Sequence, residues 1–179
     1  MGTHRNKFNS IKQLVLFLGA CLIIFSCESE KEFSSIKTIN WKKRTVELTN
    51  KDSLISGQTY LSVYSQIYSS TEHRTHNLTV TVSMKNINLK DSIFIEKATY
   101  YNTKGDLIRT YFNKPIYLAP LETVEIVIDE VDKQGGTGAN FVFDWKKKSI
   151  VNDPHFESVM ISTSGQQGIS FTSQGIKIE

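Results

Sequence analysis

Between Asn77 and Asn86 the chain alternates. Leu78, Val80, Val82 and Met84 fall on one side, and Thr79, Thr81, Ser83 and Lys85 on the other. A period of two belongs to a β-strand, whose successive side chains point to opposite faces. Such a strand buries one face and wets the other, as antiparallel sheets do. Val124, Ile126 and Ile128 repeat the pattern against Thr123 and Glu125, and Phe141, Phe143 and Trp145 repeat it against Asn140 and Asp144. Shorter runs at Tyr60 to Ile67, Ile93 to Tyr101, Leu107 to Phe112, Val159 to Ser162 and Gly168 to Phe171 extend it. No window holds a helical period with caps. The pattern predicts an all-β chain: an antiparallel immunoglobulin-like β-sandwich of about seven to eight strands.

Punctuation fits that reading. Gly105, near the end of Asn102-Thr103-Lys104-Gly105-Asp106, supplies the positive φ a hairpin needs. Pro115 and Pro120 bracket Ile116 to Ala119 and mark it as a connection or an edge. The three lysines after Trp145, at positions 146, 147 and 148, read as a guard on a strand edge.

The first part of the chain is of another kind. Met1 to Lys12 is polar and basic, Leu14 to Phe25 is nearly all apolar, and polarity returns at Cys27-Glu28-Ser29-Glu30. That order is the order of an export signal, and the apolar run is shorter than the roughly 20 residues of a membrane-spanning helix. Ile24-Phe25-Ser26-Cys27 resembles a lipobox, the cleavage signal of bacterial lipoproteins. Leu18-Gly19-Ala20-Cys21 fits the letters better, but leaves a short apolar stretch before it and strands Leu22 to Phe25 at the new N-terminus. The reading favours Cys27 as the lipid attachment. It divides the chain into a signal peptide at 1–26, a lipidated cysteine and polar linker at 27–57, and a β-sandwich domain at 58–179. Several acyl chains, palmitate among them, would make the anchor effectively permanent, since each buried methylene contributes about 0.8 kcal/mol. The acidic run after Cys27 resembles tether signals that send Bacteroidota lipoproteins to the cell surface.

The net charge of +3 belongs to the leader. Arg5, Lys7 and Lys12 lie there with no acidic residue, so a chain cut before Cys27 balances at 18 basic and 18 acidic residues. The basic balance therefore gives no support for a nucleic-acid partner. Both cysteines also lie at the leader, which leaves the domain without a disulfide, a thiol nucleophile or a cysteine-ligated metal.

Two glycine-flanked segments are the candidate binding loops. In the first, Gly135, Gly136, Gly138 and Asn140 offer backbone N–H groups to an anion, although a strained turn between strands explains the same glycines. In the second, Gln166, Gln167 and Ser170 offer paired donors and acceptors suited to a glycan or a peptide backbone, and a turn is again the alternative. If both lie at one end of the sandwich, they form a binding rim. Tyr60, Tyr64 and Tyr68 read as one face of one strand, either a strip for a partner or a face covered by the chain's own tail. His73 and His76 read as loop residues and are too few to hold zinc. Asp153, His155 and Ser158 lie on a short turn that rarely gives triad geometry. No cofactor is expected. Asp52-Ser53-Leu54 and Asp91-Ser92-Ile93 resemble the O-glycan acceptor motif of Bacteroidota, which marks Ser53 and Ser92.

Four strings carry a family resemblance: Tyr64-Ser65-Gln66-Ile67-Tyr68, Leu78-Thr79-Val80-Thr81-Val82-Ser83, Gly135-Gly136-Thr137-Gly138-Ala139-Asn140-Phe141 and Gly165-Gln166-Gln167-Gly168-Ile169-Ser170-Phe171-Thr172. Together they resemble domain of unknown function 3124 over about Tyr60 to Ile176. The resemblance implies an exported bacterial protein and brings no activity and no functional residues.

The expected function is a non-enzymatic binding or interaction module, lipid-anchored in the bacterial cell envelope, with an envelope protein, a glycan or a small ligand as its partner. Two alternatives are an envelope enzyme or metal-dependent enzyme using His73, His76 or His155, and a structural spacer in a lipoprotein assembly. Intact mass of protein recovered from bacterial membranes tests the address. The expected species runs from Cys27 to Glu179 with a lipid adduct, and Cys27→Ala abolishes the adduct; an adduct that survives the substitution moves the anchor to Cys21.

Overall fold

The strand that organises the molecule is β9 (Ala139–Lys148). Its inward residues Phe141, Phe143 and Trp145 are buried, and it is paired along its length on both sides. In this computed structural model, which describes residues 39–49, 53–163 and 168–179, its neighbours are β1 (Leu54–Val63) and β5 (Ile93–Tyr101). β1 pairs in turn with β12 (Ile176–Lys177). β5 pairs with β6 (Leu107–Phe112) and β7 (Ile116–Leu118). The second sheet runs in the order β11 (Ile169–Gln174), β10 (His155–Ser162), β4 (Thr79–Lys85) and β8 (Thr123–Ile128). A separate hairpin joins β2 (Gln66–Ser69) to β3 (Thr71–Asn77).

All the pairings are antiparallel, and the fold is an all-β sandwich. The alternating runs mark the core: Leu78, Val80, Val82 and Met84 lie beside Ile126, Ile128, Phe156 and Met160 of the neighbouring strands, within one buried cluster. Aromatic rings cross it. Tyr100 stacks on Phe141 at 4.8 Å, Phe141 on Phe143 at 5.4 Å, and Phe143 on Phe156 of the other sheet at 4.3 Å. Such pairs add about 0.5–1.5 kcal/mol each beyond the area they bury.

The described residues form twelve strands, more than the seven to eight that alternation suggests. The additional ones are short or exposed, so no apolar period betrays them. His73 and His76, expected in a loop, lie on β3. Tyr60, Tyr64 and Tyr68 do not share one strand, because β1 ends at Val63 and β2 starts at Gln66. Tyr60 pairs with Ile176 of the tail, the Tyr64 ring meets Phe171 edge-on at 5.9 Å, and Tyr68 is exposed. Gly105 does adopt a positive φ, of 84°.

The sandwich also begins earlier than Gln58, since β1 starts at Leu54. Ahead of it a single turn, α1 (Trp41–Arg44), packs against the core; Trp41 lies 4.6 Å from the Phe112 ring, and Arg44 pairs with Glu122 at 2.7 Å. The leader, Cys21, Cys27, Asp52, Gln166 and Gln167 lie outside the described residues.

The lysines after Trp145 guard no edge, because β9 is central. Lys146 pairs with Glu96 at 2.8 Å, Lys147 with Asp153 at 3.1 Å and Lys148 with Asp91 at 3.0 Å. Lys147 continues the inward face of β9 and is buried, and its ammonium also donates to the Val151 carbonyl. Burial works against the Asp153 charge, but hydrogen bonds from Lys177 and Lys147 outweigh it and lower its pKa.

Gly57 is fixed by Trp145. A Cβ there would fall 2.4 Å from the indole ring, whose Nε1 donates to Thr59 Oγ1 at 2.9 Å. Overpacking of this kind costs about 1–3 kcal/mol. Gly57→Ala should lower the unfolding free energy, measured by urea denaturation followed by tryptophan fluorescence, by that amount, while Gly168→Ala, whose added Cβ would lie 3.8 Å from Ser162 O, should leave it nearly unchanged.

Candidate functional site

The strand register defines two ends of the sandwich. One is marked by Leu54 opposite Lys148 and by Lys85 opposite His155. The other is marked by Val63 opposite Ala139, Ile161 opposite Thr79 and Ser162 opposite Ile169. The Leu78 N–H donates to Ser65 O at 2.9 Å and so joins the sheets at this second end. The first glycine-flanked segment reaches it, and so do the strand ends at Ser162 and Ile169. The β2–β3 hairpin and the Asn102–Asp106 loop meet there too.

The first segment is a turn packed onto the protein. A Cβ at Gly135 would lie 2.0 Å from the Tyr100 hydroxyl and 2.7 Å from Ser65 Oγ. Gly136 has φ +71°, a conformation that favours glycine. Its N–H donates to Lys133 O, and the Gly138 N–H donates to Thr103 Oγ1 at 3.0 Å. The Gly135 carbonyl accepts from the Thr103 hydroxyl at 3.0 Å, and the Gly136 carbonyl from the Gln66 N–H at 3.0 Å. The Gly136 and Gly138 amides are thus engaged within the fold. Asn140 lies half-buried on the outward face of β9, between Ser62 and Tyr101. Ser170 is exposed on β11, opposite Ile161.

Beneath this turn lies a charged clasp. Asp132 is fully buried; its Oδ2 receives Arg109 Nη2 at 3.1 Å and its Oδ1 the Gln134 N–H at 3.2 Å. Arg109 also donates to Gln134 Oε1 at 3.2 Å and to the Tyr111 hydroxyl at 3.0 Å. Burial disfavours the guanidinium charge, but Tyr111 and Asp132 outweigh burial and hold it protonated. Alongside, Tyr100 shares a 2.8 Å hydrogen bond with Ser65, and burial raises its phenol pKa well above the ordinary value. No charged or glycine motif in the sequence singles out Arg109 and Asp132, because they are distant in the chain and meet only through the β8–β9 connection.

The hairpin is the exposed part of this end. Every residue from Thr71 to Thr75 is exposed, as are Tyr68 and Ser70; Ile67 reaches back to the core. Ser70 turns the chain with φ 64°. Gln66 Nε2 ties the base to Asn77 Oδ1 at 2.9 Å and to Thr75 Oγ1 at 3.1 Å.

The imagined catalytic groups do not converge. His73 and His76 stand three apart on β3, His73 exposed and His76 half-buried, in a stretch whose register with β2 shifts. His155 lies at the far end, opposite Lys85. Ser158 is buried and donates to Ser62 O at 2.9 Å, whereas His155, three residues away on the same strand, faces outward. Of the glycan-acceptor candidates, Ser53 is exposed just ahead of β1, and Ser92 is half-buried beside Asp91, which Lys148 holds.

A groove elsewhere on the molecule was not expected. An open groove of about 580 Å³ has Trp41, Tyr111 and Phe112 among its walls and Lys42 and Lys114 at its margin. Trp41 was the signal available in the sequence: a large aromatic in a stretch otherwise read as a polar linker.

A family model described as "Protein of unknown function (DUF3124)" matches residues 56–178. The match covers more than half of the chain, which belongs to this family. No curated protein matches. The crystal structure of Thermotoga maritima 1070 is similar over 67% of this chain and 92% of that chain, at 7% identity and a TM-score of 0.43. That likeness is too distant to bear on function.

The clasp yields a quantitative expectation. Removing one partner of a buried ion pair costs about 3–5 kcal/mol, because a charge is left uncompensated. Arg109→Ala should lose that much in denaturant unfolding, and adding Asp132→Asn should recover part of it.

Proposed function

We propose that this DUF3124 protein is a non-enzymatic binding module of the bacterial cell envelope, held to a membrane by lipid on Cys27. The leader pattern supports the address. The β2–β3 hairpin carries the functional reading. A lone hairpin is marginal in water, and fixing each backbone residue costs roughly 1–2 kcal/mol. Here residues 71–75 are all exposed, so core packing does not account for the shape of the tip. It stands at the end opposite Leu54, where the chain enters β1, a strand length of about 30 Å away at roughly 3.3 Å per residue.

Its chemistry suits a polar partner. Glu72, His73 and Arg74 are exposed together, with the Tyr68 ring nearby on the paired strand. Threonine and tyrosine hydroxyls and the two ring nitrogens offer directional donors and acceptors to an envelope protein or glycan. The enzyme reading is weaker, because the histidines it would draw on do not converge: His73 and His76 lie on β3, and His155 lies at the other end.

A photoreactive amino acid in place of His73, in cells of the native host, tests this role. The expected result is a discrete adduct with one envelope component. The same probe at Lys90, exposed at the other end, should give none, and equal labelling from both positions would overturn the reading.

A further inference from the structure

We infer that β11 is a docking edge for a second copy of this chain, which adds its own β11 to form one continuous eight-stranded sheet. This rests on the sheet edges and not on the membrane anchor. An edge strand exposes unpaired backbone N–H and C=O groups and invites another strand, so proteins blunt such edges with charge, proline, bulges or brevity. The other edges of the two sandwich sheets are blunted, and in the separate hairpin β2 has four residues while β3 carries Glu72 and Arg74 and is irregular in register. β8 carries Glu125 and is flanked by Glu122, Asp129 and Glu130. β6 carries Arg109 and two irregularities in register. β7 has three residues and follows Pro115, and β12 has two residues, one of them Lys177.

β11 has none of these devices. It ends the order of the second sheet. Its six residues, Ile169 to Gln174, include no charge and no proline, and all are exposed or half-buried. Ile169 is 41% exposed, and Ile161 on the adjoining strand is 42% exposed.

Geometry favours a second copy over a foreign strand. A two-fold axis perpendicular to the sheet joins equivalent antiparallel edges and closes the assembly. Directly opposed residues must then share a face, which requires the axis to pass beside one residue paired with itself. Phe171 is that residue. It lies opposite Met160 on the inward side and already meets the Tyr64 ring edge-on at 5.9 Å. Centring the pair there sets Phe171 against Phe171, with Cβ atoms about 4.5–5.5 Å apart, and joins two Tyr64–Phe171 pairs into a cluster of four rings. Ser170 then faces Thr172 of the other copy, and Ile169 faces Ser173. No like charges meet. A contact of one strand lies at the small end of specific interfaces, so the dimer is weak and concentration-dependent.

Sedimentation velocity of the full chain in detergent, over a wide concentration range, tests the inference. Ser170 and Thr172 are exposed on the outward face, so lysine at both should repel across the axis without disturbing the core; unchanged circular dichroism checks this. The wild type should pass from monomer to dimer, and Ser170→Lys with Thr172→Lys should stay monomeric. Mixing that variant with Ser170→Glu, Thr172→Glu protein should restore a heterodimer. A wild type that stays monomeric throughout would sink the proposal and leave the edge to an extended segment of another protein. A lysine variant that still dimerises, or a lysine–glutamate mixture that does not, would equally overturn it.

Discussion

The rest of the structure depends on the inward face of β9. Phe141, Phe143 and Trp145 project from a strand that β1 and β5 flank along its length. Their rings reach across the sandwich to Phe156, so one strand both completes the first sheet and glues it to the second. Interior packing is near crystalline in density, and the neighbours of these rings are correspondingly constrained. Gly57 has no side chain because the Trp145 ring lies where one would go, and Gly175 leaves room for Thr59 and Phe156 where the chain passes from β11 to β12.

That packing leaves the ends of the sandwich to polar groups, and each end is closed by a buried network. At one end Asp132 and Arg109 hold the connection that leads into β9. At the other, Lys147 meets Asp153, while Asn86 donates to the carbonyls of Asp91, Leu118 and Ala119, and Asn88 bridges to Asn152. Buried polar groups are tolerated when they are hydrogen-bonded. The networks hold loops in place and leave few free groups within the turns themselves. This is why the glycine turn at residues 135–138, the most unusual stretch of the sequence, reads in three dimensions as packing against Tyr100 and Thr103. The projecting surface beside it comes from the plainer hairpin.

Strands with one dry and one wet face were legible from Leu78 to Met84, Val124 to Ile128 and Phe141 to Trp145, because burial of one face imposes the period directly. β3 was not. Thr71 to Asn77 buries little on either side and so carries no alternation. Lysines 146 to 148 misled for a related reason. Charge next to a strand usually means solvent, and only the fold shows that Glu96, Asp153 and Asp91 wait opposite. Trp41 was the converse case, an aromatic in a polar stretch whose partner, Phe112, lies far along the chain.

By itself, the sequence determined the fold class, the central core strands and the expectation of an export leader ending at a lipid-bearing cysteine. Those are written in local periodicity and in the order of basic, apolar and polar segments. The tertiary structure alone decided which strand is central, which edges are free, and which loops share an end. Those depend on pairing between segments distant in sequence, and backbone hydrogen bonding is nearly blind to side-chain identity. It also decided the fate of the charged residues, since whether a lysine is a guard or a buried partner depends on the carboxylate that the fold sets against it.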